Sequence, residues 1–287
     1  MKILSFGEIL WDVYPDSKAI GGASLNLAAH LALMGAESYL VSAIGEDELG
    51  EEALSVAEAL NIRCDYIKAL SDKETGAVVV TLNSDGVPSY EIKDNVAYDL
   101  IPEPDIKDGE FEVLTFGTLA FRHTENRDAI KRLLSSIRFN EIYSDLNIRL
   151  PHSTKESAEL CLENATIIKI SDEELPYISE WIFGSIYGSE DFALKISEKY
   201  ENIKLIIITK GADGSFALDT ATKSFHYADA IPVSVVSTVG AGDSFGAAFL
   251  TRYLGGESID SALIFASKIS AFVCSRKEAV PDTSAFL

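Results

Sequence analysis

Short apolar segments alternate with stretches of helical periodicity along most of the chain, and this alternation limits the possible folds more than any other feature. Residues 204–209 include the run Leu-Ile-Ile-Ile, which is typical of a strand buried on both faces of a sheet. Strands that alternate with helices favour a mostly parallel sheet with helices on both faces, so an α/β fold is predicted. The predicted strands are residues 2–6, 38–44, 64–67, 142–146, 166–170, 204–209, 214–218 and 223–227, and the predicted helices are residues 22–34, 48–60, 153–163, 242–253, 258–274 and one that begins at residue 171.

One region interrupts the alternation. Residues Gly76–Leu82 and Pro88–Ile92 are strand-like, and residues 83–87 between them contain an Asp-Gly pair that is typical of a turn. A hairpin inserted into an α/β chain has no helix to cover it, so we expect a small sheet that lies over the functional site or pairs with another subunit. An edge hairpin on the main sheet is the alternative.

The length and charge of the chain limit the functions that it can have. With 287 residues, it is expected to form one large domain with at most a small appendage. The formal net charge of -21 argues against nucleic-acid binding, because the phosphate backbone is bound by clustered Lys and Arg residues. A small anionic ligand would need a local group of hydrogen-bond donors and a divalent cation to offset the repulsion.

The cysteines and the N-terminal residues favour a cytoplasmic protein. Cys64, Cys161 and Cys274 lie far apart without metal-binding spacing, and such sparse cysteines are typical of reduced thiols in the cytosol. The first apolar run reaches Glu8 too soon for a signal peptide, and no stretch approaches the roughly 18 apolar residues of a membrane span. A membrane partner is therefore not expected.

The segment most informative about chemistry is Ser-Thr-Val-Gly-Ala-Gly-Asp at residues 237–243, which precedes an apolar helix. Gly240, Ala241 and Gly242 leave the backbone bare where the helix begins, so unpaired N–H groups and the positive end of the helix dipole favour a phosphate there. Asp243 would repel that phosphate unless it accepts a proton or holds a metal. This combination suits phosphoryl transfer, although Asp243 could instead only complement the helix dipole.

Two other nucleotide-binding motifs do not fit. The sequence has no GxxxxGK[ST] motif, which excludes a Walker-type P-loop. The Gly-Ala-Gly run lacks the third glycine of a dinucleotide fingerprint, because position 245 is Phe, and it lies near the C-terminus rather than in the first βα turn. A Rossmann-type dehydrogenase is therefore not expected.

Several motifs together resemble the ribokinase-like (PfkB) carbohydrate kinases. The run STVGAGDSFGAAF resembles their DTxGAGDxF signature, residues 21–28 resemble their GGxxxNxA sugar-binding segment, and residues 45–50 resemble their GxDxxG stretch. Within the family, residues 145–149 and 273–277 are most similar to the DxNxR segment and the VCSRKGA ending of fructokinases. The resemblance spans essentially the whole chain, with the signatures in the family's order.

The resemblance implies transfer of the ATP γ-phosphoryl group to a hydroxyl of a small neutral sugar, with fructose expected first and Mg2+ required. It also implies a single Rossmann-like, ribokinase-like domain over residues 1–287 with a small β lid, formed by strands around residues 11–15 and 76–92. Relatives often dimerise lid to lid, so a homodimer through the lid is an option here.

The resemblance further implies roles for individual residues. Asp243 would act as the base, beside an anion hole at Gly240, Ala241 and Gly242. Sugar binding is expected at Asp12, Gly22, Ala23, Asn26, Arg149 and, as a weaker candidate, Arg122. The alternatives are a turn or helix cap for Asp12, a buried core amide for Asn26 and a surface ion pair for Arg149.

The nucleotide side of the site is implied in the same way. Nucleotide binding is expected at Lys169, Thr209, Gly211, Gly214 and Ser267. Glu174 would act on Mg2+ through water, because residues 171–174 occupy the place of the family's NxxE motif, with Ser171 where Asn is usual. A capping box between Ser171 and Glu174 is a rival interpretation. A plain turn at the two glycines and a core or surface serine at position 267 are further alternatives.

Other functions remain open at this point. Related acceptors are ribose, 2-keto-3-deoxygluconate, a nucleoside and tagatose 6-phosphate. A phosphorylated substrate would need basic groups near the lid. The sequence offers Lys68, Lys73 and Lys93 there, but none is clearly directed at the substrate, so a neutral sugar is favoured. A non-catalytic sugar-binding regulator built on the same fold is the alternative of another class, but the intact Asp243 and anion-hole glycines argue against it.

Two departures from the family pattern concern the site, the first its use of cations and the second its nucleotide wall. Ser237 stands where the family usually has Asp, in a region that helps to form a potassium site in relatives, and Glu278 stands where Gly is common.

We predict that catalysis depends on Mg2+ but responds weakly or not at all to K+, because Ser237 supplies no carboxylate. The measurement is the initial rate of ADP release with Mg2+ in potassium and choline salts of equal ionic strength. A large rate increase in K+ would contradict the second half of this prediction.

Overall fold

The computed structural model describes residues 1–82 and 88–286, and within them strands alternate with helices. The strands are β1 (Lys2–Phe6), β2 (Leu10–Tyr14), β3 (Ser17–Gly21), β4 (Glu37–Gly45), β5 (Ile67–Leu70), β6 (Gly76–Leu82), β7 (Pro88–Ile92), β8 (Val113–Gly117), β9 (Glu141–Asp145), β10 (Ile167–Ser171), β11 (Leu205–Thr209), β12 (Ser215–Asp219) and β13 (Ser224–Ala228). The helices are α1 (Ala23–Leu33), α2 (Glu48–Ala59), α3 (Thr124–Ser136), α4 (Lys155–Asn164), α5 (Leu175–Phe183), α6 (Ser189–Lys199), α7 (Ala241–Leu254) and α8 (Ile259–Cys274). None of the helices in these two ranges is long and apolar enough to cross a membrane. The turn predicted at residues 83–87 lies outside the described residues.

The main sheet has the strand order β13-β12-β11-β10-β9-β8-β1-β4-β5 in the described part of the chain. The strands from β11 to β5 in this order pair in parallel, whereas β12 and β13 are antiparallel. The chain adds β4 and β5 on one side of β1 and then crosses to β8 on the other side, so the strand order reverses at β1. Ligands of such sheets bind beyond the carboxyl ends of the strands near this reversal. The predicted α/β class and the mostly parallel sheet are confirmed.

Alternate residues of the central strands enter two different cores. Ile206 belongs to the core that contains Phe192 of α6, whereas its neighbour Ile207 belongs to the core that contains Phe249 of α7. Helices α3 to α6 contribute to the first core, and α1, α7 and α8 contribute to the second. Because both faces are covered, the central strands are mostly apolar, and each fully buried branched side chain contributes about 1.5–3 kcal/mol.

The interrupting hairpin belongs to a second sheet with the order β3-β2-β6-β7, and not to an edge of the main sheet. Strand β2 pairs in parallel with β6, and the other pairs are antiparallel. Trp11 of β2 anchors this sheet to α2, because its indole N–H donates to the carbonyl of Leu49 at 2.9 Å. Lys18 of β3 covers the same ring at 4.6 Å from its centroid.

Several elements differ from the sequence prediction. Strand β5 begins later than predicted, at Ile67, because the amide of Ile67 closes a turn with the carbonyl of Cys64 and residues 67–70 pair with β4 instead. Strands β3 and β8 and helices α3 and α6 were not predicted. Strand β3 has polar and small residues at most positions and is held by its pairing with β2, so its own pattern gave no signal.

Gly246 of α7 packs directly on Tyr143 of β9, and a Cβ atom at position 246 would lie 2.3 Å from the Tyr143 hydroxyl oxygen. We predict that Gly246→Ala lowers the free energy of unfolding by about 1–3 kcal/mol through overpacking, despite the better helix propensity of Ala. Tyr143→Phe in the same chain removes the clashing oxygen and should restore part of the loss. Urea unfolding of the two single variants and the double variant measures this. An equal loss with and without the hydroxyl would contradict it.

Candidate active site

Asp243 lies in the first turn of α7 and meets Asn26 of α1. The Asn26 side-chain amide donates to Asp243 Oδ2 at 2.9 Å, across 217 positions of the sequence. Asn26 is 4% exposed, and no partner for its Oδ1 atom is found among the described residues. The expected base and the expected sugar-binding amide are therefore brought together, and Asn26 is also a buried amide, as the alternative had it.

The surroundings of Asp243 alter its acidity. Burial raises the pKa of Asp243, and the Asp145 carboxylate adds to this effect. The hydrogen bond from Asn26 and the charges of Lys169 and Arg149 lower the pKa, and the net result is a value of about 7. A carboxylate with a pKa near neutrality can both accept and release a proton at physiological pH, as a general base requires.

The backbone at the start of α7 leaves donors for an anion. Gly240 is in the left-handed region, with φ of 78°, and its carbonyl accepts the first helical hydrogen bond, from the amide of Ser244 at 2.8 Å. The Ala241 amide donates to a preceding carbonyl at 3.2 Å. The amides of Gly242 and Asp243, for which the described chain supplies no acceptor, remain at the positive end of the helix dipole.

A buried ion pair lies beside this helix start. Lys169 of β10 donates to Asp145 Oδ2 of β9 at 2.6 Å, and the two residues are direct neighbours in the register of the sheet. A Cβ atom at Gly242 would lie 3.3 Å from Lys169 Nζ, so the ammonium group sits against the anion-hole segment. Burial lowers the pKa of Lys169, but the carboxylates of Asp145, Glu174 and Asp243 together outweigh burial, so the pKa is raised and the lysine stays charged. The sequence patterns included Asp145 in the DxNxR segment but gave it no role of its own.

The sugar side of the site joins β2 to the loop after β9. Burial raises the pKa of Asp12, and the charge of Arg149 opposes this rise. Arg149 follows β9 and is exposed, and its charge acts on Asp243 as well. The charge of Arg149 thus acts on both Asp12 and Asp243, and Asp243 is bonded to Asn26.

Glu8 is a buried carboxylate that the sequence patterns did not single out. It is 3% exposed and follows β1. Its Oε1 accepts from the Ala23 amide at 2.8 Å, and its Oε2 accepts from the Ser24 hydroxyl at 3.2 Å. A Cβ atom at Gly22, whose φ is 107°, would lie 2.6 Å from the Glu8 carbonyl oxygen. Gly22 and Ala23 are expected to approach the sugar. They also hold the start of α1 against Glu8, Gly22 by close packing and Ala23 by its hydrogen bond.

Arg122 is engaged elsewhere. Its Nε donates to Asp99 Oδ1 at 2.6 Å and its second terminal nitrogen to Asp99 Oδ2 at 2.7 Å, with a further bond to the carbonyl of Lys93. Asp99 is 2% exposed, so this is a buried ion pair. Asp94, Asp99 and His123 have possible metal-ligand atoms within 4.8 Å of one another in the described chain, but Arg122 already occupies both oxygens of Asp99.

Glu174 and Ser171 are bonded, but not as a capping box. Glu174 Oε2 accepts from the Ser171 amide at 2.6 Å and from the Ser171 hydroxyl at 2.9 Å, so the hydroxyl donates instead of accepting from the helix. Helix α5 begins at Leu175, not at residue 171, because Ser171 completes β10. Glu174 Oε1 accepts from the amide of Ile148. Burial raises the pKa of Glu174, and the nearby Asp145 carboxylate raises it further.

The remaining nucleotide candidates lie next to this region. Thr209 ends β11, which pairs with the strand of Lys169. Gly211 has φ of 52°, and a Cβ atom there would have no neighbour within 4 Å among the described residues, whereas a Cβ at Gly214 would lie 2.3 Å from the carbonyl oxygen of Ala228. Close packing against Ala228 is therefore enough to explain a glycine at position 214, whereas the space beside Gly211 is open. Ser267 of α8 is 8% exposed.

An exposed apolar segment leads into the anion hole. Val235, Val236 and Val239 are 62%, 56% and 51% exposed, and the amide of Val236 donates to the carbonyl of Cys274 at the end of α8. Apolar side chains of this kind commonly line small-molecule sites. The sequence patterns did not single out these valines.

Comparisons with known proteins find related sequences and structures. A family model described as pfkB family carbohydrate kinase matches residues 4–285. A fructokinase of Solanum tuberosum is 29% identical over 305 residues, covering 97% of this chain and 91% of the relative. A fructokinase of Vibrio cholerae O395 bound to fructose, ADP and calcium superposes with a TM-score of 0.85 at 20% identity, covering 99% and 97% of the two chains. A sugar kinase of Pyrococcus horikoshii in complex with ATP gives a TM-score of 0.80 at 26% identity, covering 97% and 94%.

The raised pKa of Asp243 has a consequence for stability. The folded protein holds this proton up to a pH of about 7, whereas the unfolded chain releases it near 3.8, so stability falls as the pH rises between these values. We predict that Asp243→Asn, which stays neutral, is more stable than the wild type at pH 8, and that the gain shrinks towards pH 4. Urea unfolding across this range measures the difference. Asp260→Asn, the same change in the first turn of α8, is the control and should show no such gain.

Proposed function

Because the chain belongs to the pfkB family of carbohydrate kinases, we propose that it transfers the γ-phosphoryl group of ATP to a hydroxyl group of a small neutral sugar, with fructose as the first candidate. The bond between Asn26 and Asp243 carries this proposal. It joins α1 to a carboxylate with a pKa of about 7 that lies in the same helix start as the free amides of Gly242 and Asp243. Phosphoryl transfer needs this combination of proton acceptor and anion hole.

The charges near the second sheet support a neutral acceptor. Lys73 donates to the side chain of Asn95 at 2.6 Å, and Lys93 pairs with Glu74 at 3.3 Å. Arg122 is committed to its ion pair. A phosphate on the substrate would need several cations that are free to bind it, whereas Asp12, Asn26 and the single cation Arg149 suit hydroxyl groups.

The reaction follows from the positions of these groups. Ionised Asp243 takes the proton from the sugar hydroxyl, whose oxygen forms a bond to the γ-phosphorus as the bond to the ADP oxygen breaks. Asn26 donates to Oδ2 of Asp243, which leaves Oδ1 for the proton. The amides of Gly242 and Asp243, with the charged Lys169 beneath them, stabilise the negative charge of the migrating group.

Mg2+ fits the local charge. The carboxyl groups of Asp145, Glu174 and Asp243 act on Lys169 together, and when they are ionised they disfavour a nucleotide unless a divalent cation offsets the repulsion. Both oxygens of Glu174 already accept hydrogen bonds, which suits contact with the ion through water. Bound Mg2+ would neutralise charge on the transferring phosphates. Ser237 Oγ accepts from the Val239 amide at 3.2 Å, a local turn that supports weak use of K+.

The four-stranded sheet is the proposed lid. Asp12 lies on its strand β2, so the sheet contributes directly to the sugar side. Its outer strands β3 and β7 have edges that a second copy of the chain could extend by pairing. Light scattering at increasing protein concentration would detect the homodimer proposed through this lid.

A coupled assay of ADP release tests the proposed reaction. Fructose, ribose, mannose, keto-deoxy sugars and nucleosides are each offered with ATP and Mg2+, and the highest kcat/KM is expected for fructose. A higher kcat/KM for ribose or a nucleoside would instead assign the protein as a kinase of that acceptor within the same family. Sugar binding in calorimetry without ADP release from any acceptor would instead support a sugar-binding regulator.

The role of Asp243 gives the sharpest test. Asp243→Asn is expected to lower kcat by about 10²–10⁴, because the general base is lost, while sugar binding measured by calorimetry is largely kept. Asp260→Asn, the same change in the first turn of α8, should retain the wild-type kcat. Near-normal turnover in Asp243→Asn would contradict the assigned role.

A further inference from the structure

His30 is a buried histidine of α1 that the proposed mechanism does not use. Its side chain is 0% exposed, and Nε2 lies 3.0 Å from the carbonyl oxygen of Ala279. A carbonyl only accepts, so Nε2 must carry the proton. Burial lowers the pKa of His30 to about 4, which leaves Nδ1 unprotonated at neutral pH, and no partner for Nδ1 is found among the described residues.

The Ala279 carbonyl group also touches the anion hole. A Cβ atom at Gly240 would lie 2.3 Å from this oxygen and 2.9 Å from the Cα of Ala279. The same contact explains why position 240 admits no side chain, in addition to its left-handed φ of 78°. Ala279 therefore sets where the backbone turns into α7, and the amides of Gly242 and Asp243 follow directly from that turn.

His30 lies four residues after Asn26 on the same helix, so the two side chains project from one face, one turn apart. Asn26 holds the carboxylate of Asp243, and His30 holds the carbonyl that packs on Gly240. One rigid helix thus contacts both the base and, through Ala279, the start of the anion hole. The position of the base relative to the anion hole therefore depends on α1.

We propose that His30 is a positioning residue for phosphoryl transfer, which fixes the anion hole by holding the Ala279 carbonyl group against Gly240. The inference rests on the proposed kinase function. Without the hydrogen bond, the segment at Ala279 is free to shift, and the amides of the anion hole shift with Gly240. Misplacement of catalytic groups by about 1 Å can cost about 10²-fold in rate.

Two substitutions separate the hydrogen bond from the volume of the ring. His30→Leu fills a similar space without a donor, and His30→Gln keeps an N–H donor. In His30→Leu, kcat is expected to fall by about 10- to 10²-fold with little change in KM for the sugar. His30→Gln should recover part of this loss. The wild-type kcat in His30→Leu would overturn the proposal.

A matched control shows whether lost stability alone explains the effect. Leu31→Ala changes the next residue of α1, whose side chain is 0% exposed in the core beneath α7. It should lower the melting temperature more than His30→Leu does and still retain the wild-type kcat below that temperature. An equal fall of kcat in both variants would overturn the positioning role.

Binding of a transition-state mimic gives a readout that is independent of turnover. ADP with aluminium fluoride and Mg2+ occupies the position of the migrating group, so calorimetry should show weaker binding of this mimic to His30→Leu and unchanged binding of ADP alone. Equal affinity of both proteins for the mimic would count against the inference. An inactive wild type would instead overturn the proposed function, whereas an active wild type with an unaffected His30→Leu variant would overturn only the inference.

Discussion

The hydrogen bond from Asn26 to Asp243 connects α1 with α7 and determines the geometry of the site. It holds a carboxylate at a helix start, where burial and Asp145 raise its pKa to about 7. An unpaired buried carboxylate would be costly, and the amide of Asn26 offsets part of this cost. The same bond orients one oxygen of Asp243, so the other can serve as the proton acceptor in the proposed reaction.

The central strands of the main sheet supply the opposing charge. Their apolar residues build the two cores, but Asp145 at the end of β9 and Lys169 in the middle of β10 are charged and are direct neighbours in the register of the sheet. A charged lysine is tolerated there because its carboxylate partner is equally fixed. The ammonium group reaches the anion-hole segment from below, so the sheet contributes directly to phosphate binding in the proposed mechanism.

The sequence patterns identified many of the residues at the site but little of their environment. Asp243, Asn26 and Lys169 were singled out by the resemblance, and the structure brings them together. Glu8 and His30 gave no signal, because a single buried Glu or His carries no periodicity and its partner lies far away in the chain. The capping box at Ser171 was wrong, because β10 extends over this residue and its hydroxyl donates to Glu174.

The helices and strands likewise fall into those that were predicted from the sequence and those that were not. Long apolar strands and amphipathic helices such as α8 were predicted from their own residues, since period and burial are local properties of the chain. Strand β3 exists only through its pairing with β2. The sequence by itself determined the α/β class, the family and the motif residues, because these depend on residue type and spacing. Only the tertiary structure decided which charges pair, which amides stay free and how α1 aligns the base with the anion hole, because these depend on contacts between residues far apart in the sequence.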